Sequence, residues 1–503
     1  MAARGPQEPE LRHRKDIMAN DHGLRRLALG TLLAAFPGPE APGWALDLLD
    51  DGLAGHTLFG TNVGSPAQLA ALTATLRAAR PDALIAIDEE GGDVTRLGHR
   101  TGSPYPGNAA LGVADDQDLT AEVYAAVGGD LADAGINLDL APTVDVNTAD
   151  DNPIIGTRSF GASPLLVARH AAAAVRGLQS AGVAACAKHF PGHGATLADS
   201  HLELPTVDAP LELLRERDLP PFAAVIEAGV QAIMTAHLRV PELTGDDPAT
   251  FSPAALTGLA RREYGFDGVL VTDALEMKGA AATAGGIAPA AVRALAAGAD
   301  LLCVGAKVDR ELVGAIAGEI AAAVGDGRLP LLRLEEAFSR TAKMATWSAT
   351  PVRKSDHDEA LGVSAARRAV RVEGSLAGLG EPLVVQVVAG FSIAEGRVPW
   401  GLRPHLNGTA QIEVVAASGS VAEIVGQAGD RPIVLVGRHL HRSPASRDLA
   451  EGLAAAHPTV VVEMGWPSSW RPAGARAFVT THGASLANGR AAAQVLGLTP
   501  ANA

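Results

Sequence analysis

The segment from Lys188 to His201 carries the densest group of chemically capable side chains in the sequence. It reads Lys-His-Phe-Pro-Gly-His-Gly and continues, after a short spacer, to Asp199-Ser200-His201. Its glycines and proline favour an irregular loop leaving a strand over a helix. Residues two apart in an extended stretch point the same way, so the Asp199 carboxylate can hold the His201 imidazole in one tautomer. Such a pair can donate and accept protons near neutral pH.

A zinc site is the alternative for this segment, because three histidines and an aspartate lie close together. Their spacing matches neither a helical HExxH motif nor paired CxxC motifs, so the sequence predicts no metal here. Cys186 and Cys303 lie in apolar runs. This pattern indicates two buried thiols and gives neither a disulfide framework nor a zinc site.

A second carboxylate, Asp273, ends the apolar run that begins at Gly268. A carboxylate so placed suits a nucleophile that attacks the anomeric carbon of a sugar, although an aspartate that caps a helix has the same local pattern. Glu276 is the nearest other carboxylate, and we expect it on a helix surface beyond the strand end.

Two further polar segments could hold a substrate. Asp88 and Arg96 flank the sequence Glu-Glu-Gly-Gly-Asp-Val-Thr and could clamp sugar hydroxyls by charge-assisted hydrogen bonds. A phosphate-binding loop is disfavoured, since the glycines adjoin acidic residues and no GxxxxGK[ST] motif is present. Arg158 lies in a glycine-bounded loop from Asn152 to Gly161, where it either clamps substrate or stabilises the loop.

Eight short apolar runs, alternating with Ala/Leu-rich helical stretches, could position these residues. The predicted strands are Thr31–Phe36, Leu53–Phe59, Ala83–Asp88, Ile136–Pro142, Val183–His189, Gln231–Ala236, Gly268–Asp273 and Asp300–Val304. The pattern is typical of an α/β fold, either a (β/α)8 TIM barrel or a doubly wound open sheet. Asp88, Lys188 with His189, His237 and Asp273 all fall at strand ends, which favours the barrel because its carboxyl ends converge on one face.

A second, smaller α/β pattern follows the barrel. We predict a catalytic barrel over residues 1–347, a polar linker over 348–358 and a C-terminal domain over 359–503 that opens with a helix around Glu359–Val372. The predicted strands of this domain are Leu383–Val388, Ile412–Ala416, Ile433–Val436, Val460–Glu463 and Ala477–Thr480.

Composition narrows the function classes. With 47% hydrophobic and 19% charged residues, the 503-residue chain has a globular profile, and a net charge of −15 disfavours nucleic acid or an anionic membrane as partner. Residues 1–20 lack an apolar signal core, and no run of about twenty apolar residues occurs. We therefore expect a cytoplasmic protein that spans no membrane and acts on a small neutral molecule. Oligomeric state stays open.

Together the four polar segments resemble the β-N-acetylglucosaminidase branch of glycoside hydrolase family 3. The carrying motifs are KHFPGHG with DSH at Lys188–His201, IDEEGG with Arg96, NPIIGTRSFG from Asn152, and TDALEM around Asp273. The resemblance covers about residues 25–345. The C-terminal region also resembles the α/β sandwich domain that some members carry.

The resemblance implies a role for each matching position. Asp273 would be the nucleophile that forms a covalent glycosyl-enzyme, and His201 the acid/base oriented by Asp199. Five residues would hold the non-reducing N-acetylglucosamine: Asp88, Arg96, Arg158, Lys188 and His189. Two-step displacement implies retention of anomeric configuration without a metal or organic cofactor. Acidic Glu89 and Asp93 depart from the family pattern, and we expect them to influence the aglycone preference.

Several alternatives remain open at this point. A phosphorylase is the second reading, because a histidine acid/base would not repel phosphate as the acceptor. A sugar-binding protein without turnover is disfavoured by the intact Asp273, Asp199 and His201. The aglycone is either a muramic acid fragment of the cell wall or a chitin-derived oligosaccharide. We expect the C-terminal domain to act structurally or to shape the substrate site, with His439, His441 and Glu463 as its most notable side chains.

Overall fold

The computed structural model describes residues 22–200, 202–305, 308–349 and 359–499. The predictions for residues 1–20 and for His201 lie outside these ranges. The predicted linker also lies outside them, apart from Ser348 and Ala349.

Eight parallel strands form the N-terminal barrel. They are β1 (Leu32–Ala34), β2 (Gly55–Leu58), β3 (Leu84–Ile87), β4 (Leu138–Asp139), β5 (Ala184–Phe190), β6 (Ala232–Thr235), β7 (Val269–Thr272) and β8 (Leu302–Val304). Neighbours in the chain are neighbours in the sheet, and β8 pairs with β1. A parallel bridge between Val271 and Leu301 joins β7 to β8, so the sheet closes. All eight predicted strands are confirmed, as is the barrel.

Helices surround the barrel. They are α1 (22–29), α2 (Gly43–Asp51), α3 (Pro66–Ala79), α4 (Asn108–Ala114), α5 (Gln117–Asp133), α6 (Pro164–Ser180), α7 (Leu211–Arg217), α8 (Pro220–Glu227), α9 (Pro241–Thr244), α10 (Lys278–Ala284), α11 (Ile287–Ala297), α12 (Arg310–Gly325) and α13 (Leu331–Trp347), with a π-helix at Ala254–Glu263 and 3₁₀ turns at Gly60–Asn62, Gly156–Arg158 and Ala249–Phe251.

Alternate residues of each strand fill the two sides of the barrel wall. Leu84 and Ala86 of β3 belong to the cluster inside the barrel, whereas Ile85 and Ile87 pack outward against the helices. This alternation follows from the two-residue period of a strand, and Asp88, Lys188 and Asp273 fall at or near the carboxyl ends of the strands. Cys186 and Cys303 are buried free thiols of the interior cluster, as predicted.

The second sheet has six strands in the order β11-β10-β12-β13-β14-β9. Its elements are α14 (Glu359–Ala369), β9 (Arg371–Gly374), β10 (Leu383–Val387), β11 (Gln411–Val414), α15 (Val421–Ala428), β12 (Ile433–Gly437), α16 (Pro444–Ala456), β13 (Thr459–Glu463), β14 (Ala477–Thr480) and α17 (Leu486–Val495), with 3₁₀ turns at Arg403–His405, Ala416–Ser418 and Leu440–Arg442. Apolar clusters cover both of its faces, which confirms the α/β sandwich.

One element of this sandwich was predicted wrongly. The opening helix was expected to reach Val372, but α14 ends at Ala369 and Arg371–Gly374 forms β9, antiparallel to β14. All four β9 residues are exposed, so the strand lacks the apolar pattern that identified the others.

In the part of the chain that the structure describes, no single helix is long and apolar enough to cross a membrane. The bent pair α10 and α11, which meet at 93°, reaches the required length and composition only when counted together.

Candidate active site

A cavity of about 640 Å³ opens at the carboxyl ends of the barrel strands. Six of the eight predicted site residues line it: Asp88, Arg96, Arg158, Lys188, His189 and Asp273. Asp88 and Asp273 directly follow β3 and β7, and Lys188 and His189 lie near the end of β5. Arg96 and Arg158 lie on the loops after β3 and β4, and the closed barrel brings all six to one face. Ile393 and Ala394 of the C-terminal domain complete the wall.

A buried ion cluster centred on Glu90 forms the floor of this cavity. Arg158 grips the carboxylate with two bonds, Nη2 to Oε1 at 2.7 Å and Nε to Oε2 at 2.9 Å. Lys188 Nζ lies 2.7 Å from Glu90 Oε1 and 2.7 Å from Asp88 Oδ1. The cluster fixes Arg158, Lys188 and Asp88 as a set of donors and acceptors that face the cavity.

The charges of this cluster sustain one another. Burial alone would raise the pKa of Glu90, but the cations of Arg158 and Lys188 outweigh it and hold that pKa well below its ordinary value. Burial likewise opposes the charge of Lys188, yet Asp88 and Glu90 keep its pKa above the ordinary value. Glu90, Arg158 and Lys188 are therefore ionised at neutral pH. Together they form a pre-organised array for binding neutral hydroxyl groups.

Asp145 orients His189. Its Oδ2 lies 2.7 Å from His189 Nδ1, and its Oδ1 accepts the backbone N–H groups of His189 at 3.2 Å and His193 at 2.6 Å. Burial would raise the pKa of Asp145, but His189 and His193 lower it overall. The Asp145 carboxylate fixes the orientation of the imidazole, whose Nε2 lies 3.4 Å from Arg158 Nη2.

Asp273 stands at the end of β7, half-buried in the cavity wall. Its Oδ1 accepts the N–H of Ala274 at 2.7 Å, and its own N–H donates to the Thr235 carbonyl at 3.2 Å. Glu276 also lines the cavity, with both carboxylate oxygens accepting the N–H of Gly305 at 3.0 and 3.1 Å. Our expectation of Glu276 on a helix surface is wrong, because the chain turns after β7 and α10 begins only at Lys278.

Arg96, which is predicted to bind substrate, also contacts the C-terminal domain. Its Nη2 donates to the carbonyl of Ala394 at 2.8 Å and lies 4.0 Å from Asp88 Oδ2. Glu89 Oε2 accepts the backbone N–H groups of Arg96 and Leu97, both at 2.8 Å. Arg96 thus fastens the C-terminal segment against the cavity as well as facing it.

The predicted acid/base pair is only partly placed by the structure. His201 lies outside the described residues, so its position relative to Asp273 stays a prediction. Asp199 is half-buried, and its carbonyl accepts the N–H groups of Leu202 at 3.0 Å and Glu203 at 3.1 Å. Between them in sequence, Ser200 is buried and lines the cavity, so this segment reaches the site.

His193 is a buried histidine held between two hydroxyl groups. Thr196 Oγ1 lies 2.7 Å from its Nδ1 and Ser200 Oγ lies 3.1 Å from its Nε2. Burial, with a smaller contribution from His189, lowers the pKa of His193 to about 4. The folded protein therefore holds this imidazole neutral at a pH where an exposed histidine takes up a proton.

Replacing His193 with Asn is expected to make the fold less sensitive to acid. The unfolded chain protonates His193 near pH 6.5 and the folded chain only near pH 4, so stability falls as pH drops through this window. At about 1.4 kcal/mol per pKa unit, His193 accounts for roughly 3 kcal/mol of that loss. Urea unfolding at pH 7 and pH 5 should show a smaller difference for His193→Asn than for the wild type. His22→Asn, on the surface, is the matched control, and an unchanged difference in His193→Asn would contradict the prediction.

Asp93 belongs to the interface between the two domains. Its Oδ1 accepts the N–H of Ala484 at 2.8 Å, and its Oδ2 lies 3.3 Å from Arg438 Nη2. It is buried and does not line the cavity. Asp93 therefore makes no direct contact with the cavity through which it could influence the preference for the aglycone.

The notable residues of the C-terminal domain do not line the cavity. The buried Glu463 carboxylate accepts the N–H groups of His439, Leu440 and Gly465 at 2.7, 2.9 and 2.7 Å. These bonds shape the turn after β12, which contacts the barrel through Arg442.

Glu90 and Asp145 also belong to the site, although neither was predicted from the sequence as a site residue. Each follows a barrel strand, Glu90 after β3 and Asp145 after β4, as do the acids that were recognised. Strand-end position was the available signal. It was applied to Asp88 but not to its neighbour two residues on, or to the carboxylate beyond the irregular strand β4.

The chain was compared with known proteins. Residues 44–344 match the family described as Glycosyl hydrolase family 3 N terminal domain. Beta-hexosaminidase A of Pseudoalteromonas piscicida is 35% identical over 319 residues, which cover 58% of this chain and 53% of that protein. The match thus spans about half the length of that relative.

Two solved structures extend the likeness. A glycoside hydrolase family 3 beta-N-acetylglucosaminidase from Paenibacillus sp. str. FPU-7 superposes with a TM-score of 0.83 at 33% identity, covering 95% of this chain and 97% of that one. NagZ from Neisseria gonorrhoeae, in complex with N-trifluoroacetyl-D-glucosamine, superposes with a TM-score of 0.53 at 32% identity, covering 63% and 98%. The family match covers more than half of the chain, and the chain belongs to glycosyl hydrolase family 3.

Proposed function

We propose that this protein is a retaining, exo-acting β-N-acetylglucosaminidase with Asp273 as its nucleophile. The observation that carries the proposal is the placement of Asp273 on a cavity that is also lined by Asp88, Lys188 and Arg158, which ion pairs connect through Lys188 and Glu90. Its volume, about 640 Å³, lies within the range of small-molecule sites. The names of the relatives described above support the amino-sugar substrate.

In the proposed reaction, Asp273 attacks the anomeric carbon and the bond to the aglycone breaks. His201, oriented by Asp199, gives its proton to the leaving oxygen. Water, deprotonated by His201, then displaces Asp273 and restores the original configuration. Asp88, Lys188, Arg158 and His189 hold the sugar hydroxyls throughout, so the reacting carbon stays aligned with the nucleophile.

We propose fragments of the bacterial cell wall as the substrate and the cytoplasm as the location. The cavity of about 640 Å³, bounded in part by Ile393 and Ala394 of the C-terminal domain, has room for a terminal sugar together with part of its aglycone. Chitin-derived oligosaccharides are the competing substrate, and comparing turnover of the two oligosaccharide classes by the wild type decides between them.

Release of nitrophenol from 4-nitrophenyl N-acetyl-β-glucosaminide, with and without phosphate, tests the activity. Free N-acetylglucosamine in both buffers supports the hydrolase. A phosphate-stimulated rate that yields the sugar 1-phosphate would replace it with the phosphorylase. No turnover in either buffer would contradict the proposed substrate.

Replacing His201 with Ala is expected to reduce turnover most for substrates with poor leaving groups. General acid catalysis contributes about 10²- to 10⁴-fold, and nitrophenolate leaves without needing that proton. The measurement compares kcat/KM for nitrophenyl and alkyl N-acetyl-β-glucosaminides, with Leu202→Ala at the exposed neighbouring position as control. Equal losses for both substrates would limit His201 to substrate positioning.

A further inference from the structure

The barrel loop of residues 150–158, here called the bridging loop, is held by the C-terminal domain. Arg442, the last residue of the single turn after β12, donates from Nη2 to the carbonyls of Asp150 and Asn152, both at 3.0 Å. Its Nε lies 3.8 Å from the Asp151 carboxylate. One guanidinium therefore fixes three successive residues of a loop from the other domain.

Asn152 connects this contact to the active site. Its buried side chain donates from Nδ2 to the His193 carbonyl at 3.0 Å, and its Oδ1 accepts the N–H groups of Ile154 at 3.0 Å and Ile155 at 2.9 Å. The carbonyl of Ile154 in turn accepts from Arg158 Nη1 at 2.9 Å. Hydrogen bonds thus connect Asn152 directly to the segment 188–200 and, through Ile154, to the Arg158 guanidinium.

The far end of the bridging loop is linked to the C-terminal domain through Asp93 of the barrel. Thr157 Oγ1 donates to Asp93 Oδ2 at 2.7 Å, the same carboxylate that meets Arg438 and the N–H of Ala484. The C-terminal domain thus contacts the loop directly through Arg442 and, at the far end, indirectly through Asp93. Arg442 is the contact nearest to the segment that leads to Asp199.

We propose that Arg442 is a positioning residue for the glycosidase reaction, acting through Asn152 on segment 188–200 and on Arg158. The inference rests on the proposed function for its kinetic consequence. Arg442 does not line the cavity, so its effect passes through the loop and not through contact with substrate. It makes the C-terminal domain part of the catalytic apparatus, beyond its contribution of Ile393 and Ala394 to the cavity wall.

Hydrogen exchange of the full chain tests the structural step. In Arg442→Met, amides of residues 154–158 and 189–196 should exchange faster, on the order of tenfold, because the loop has lost its fixed anchor. Arg368→Met is the matched control, since Arg368 also pairs across the domains, with Asp116 at 2.8 Å, the residue that caps the N-terminus of α5. Unchanged exchange in Arg442→Met, or equal changes in both variants, overturns the proposal. If Arg442→Met does not fold, Asn152→Asp, which removes the Nδ2 donor and keeps the Oδ1 acceptor, carries the same test.

Kinetics then test the consequence for catalysis. For Arg442→Met, kcat/KM should fall by about 10²-fold with alkyl N-acetyl-β-glucosaminides and much less with the nitrophenyl substrate, because a misplaced segment 188–200 impairs proton donation most. Arg442→Lys should recover part of the loss, and Arg442→Met combined with Asn152→Asp should lose little more than either alone. Equal losses of kcat/KM for both substrates, or additive losses in the double variant, would overturn the proposed positioning role of Arg442. A wild type without turnover would refute the proposed function, while the exchange result would still decide whether Arg442 positions the loop.

Discussion

Asp273→Ala is expected to abolish turnover of even an activated aryl N-acetyl-β-glucosaminide. The side chain serves both chemical steps, since it forms the glycosyl-enzyme and is the leaving group when water attacks. Losing a nucleophile of this kind costs on the order of 10⁵-fold in kcat. The measurement is nitrophenol release over hours at high enzyme concentration, with folding verified by circular dichroism.

Glu276→Gln is the matched comparison, because Glu276 is the other carboxylate at the end of β7 that lines the cavity. Its oxygens accept the Gly305 N–H, and an amide oxygen can still accept that bond. Glu276→Gln should therefore retain far more activity than Asp273→Ala. Substantial activity in Asp273→Ala together with a severe loss in Glu276→Gln would move the nucleophile to Glu276.

Glu90→Gln is expected to destabilise the barrel by about 3–5 kcal/mol, the usual cost of removing one partner from a buried ion cluster. The amide would leave Arg158 without a carboxylate partner and Lys188 with Asp88 alone, and both cations are buried. Urea unfolding at pH 7 measures the loss. Because the pKa of Glu90 is held low, its stabilisation is present above about pH 4 and is lost as pH falls further, so the variant and wild type should converge in acid.

The exposed pair of Glu373 with Arg471 provides the control for this experiment. Its geometry is as good, with two bonds of 3.0 and 2.7 Å, but both side chains lie at the surface. Glu373→Gln should therefore change the unfolding free energy little. Equal losses in the two variants would mean that burial of the Glu90 cluster contributes nothing particular.

The fold was predictable because the barrel strands are short apolar runs that alternate regularly with helical segments. Short β-branched runs such as Val269–Thr272 must be buried on both sides, and the helices between them are long and Ala-rich. Strand β9 was not predicted, because an exposed antiparallel strand at the sheet edge buries too little side-chain surface to require apolar residues. The chain there follows α14 directly, so helix and strand run together in the sequence.

The candidate site was predictable only where a residue stands in a motif. Six predicted side chains line one cavity, yet Glu90 was overlooked although it joins Arg158 to Lys188. Charge pairing between residues nearly seventy and a hundred positions apart leaves no local mark in a single sequence. The interdomain role of Asp93 could not be predicted for the same reason, since its partners Arg438 and Ala484 lie more than 340 residues away in the sequence.

The anchoring of the bridging loop by Arg442 also constrains how the enzyme is made. Chains grow from the N-terminus at about 5–20 residues per second, and domains generally fold as they emerge. The barrel strands are complete once β8 has been synthesised, but the guanidinium that fixes Asp150 and Asn152 follows well over a hundred residues later. For the intervening seconds the ribosome carries a barrel whose bridging loop lacks this anchor, so under the proposed role of Arg442 the site is completed only when the second domain docks.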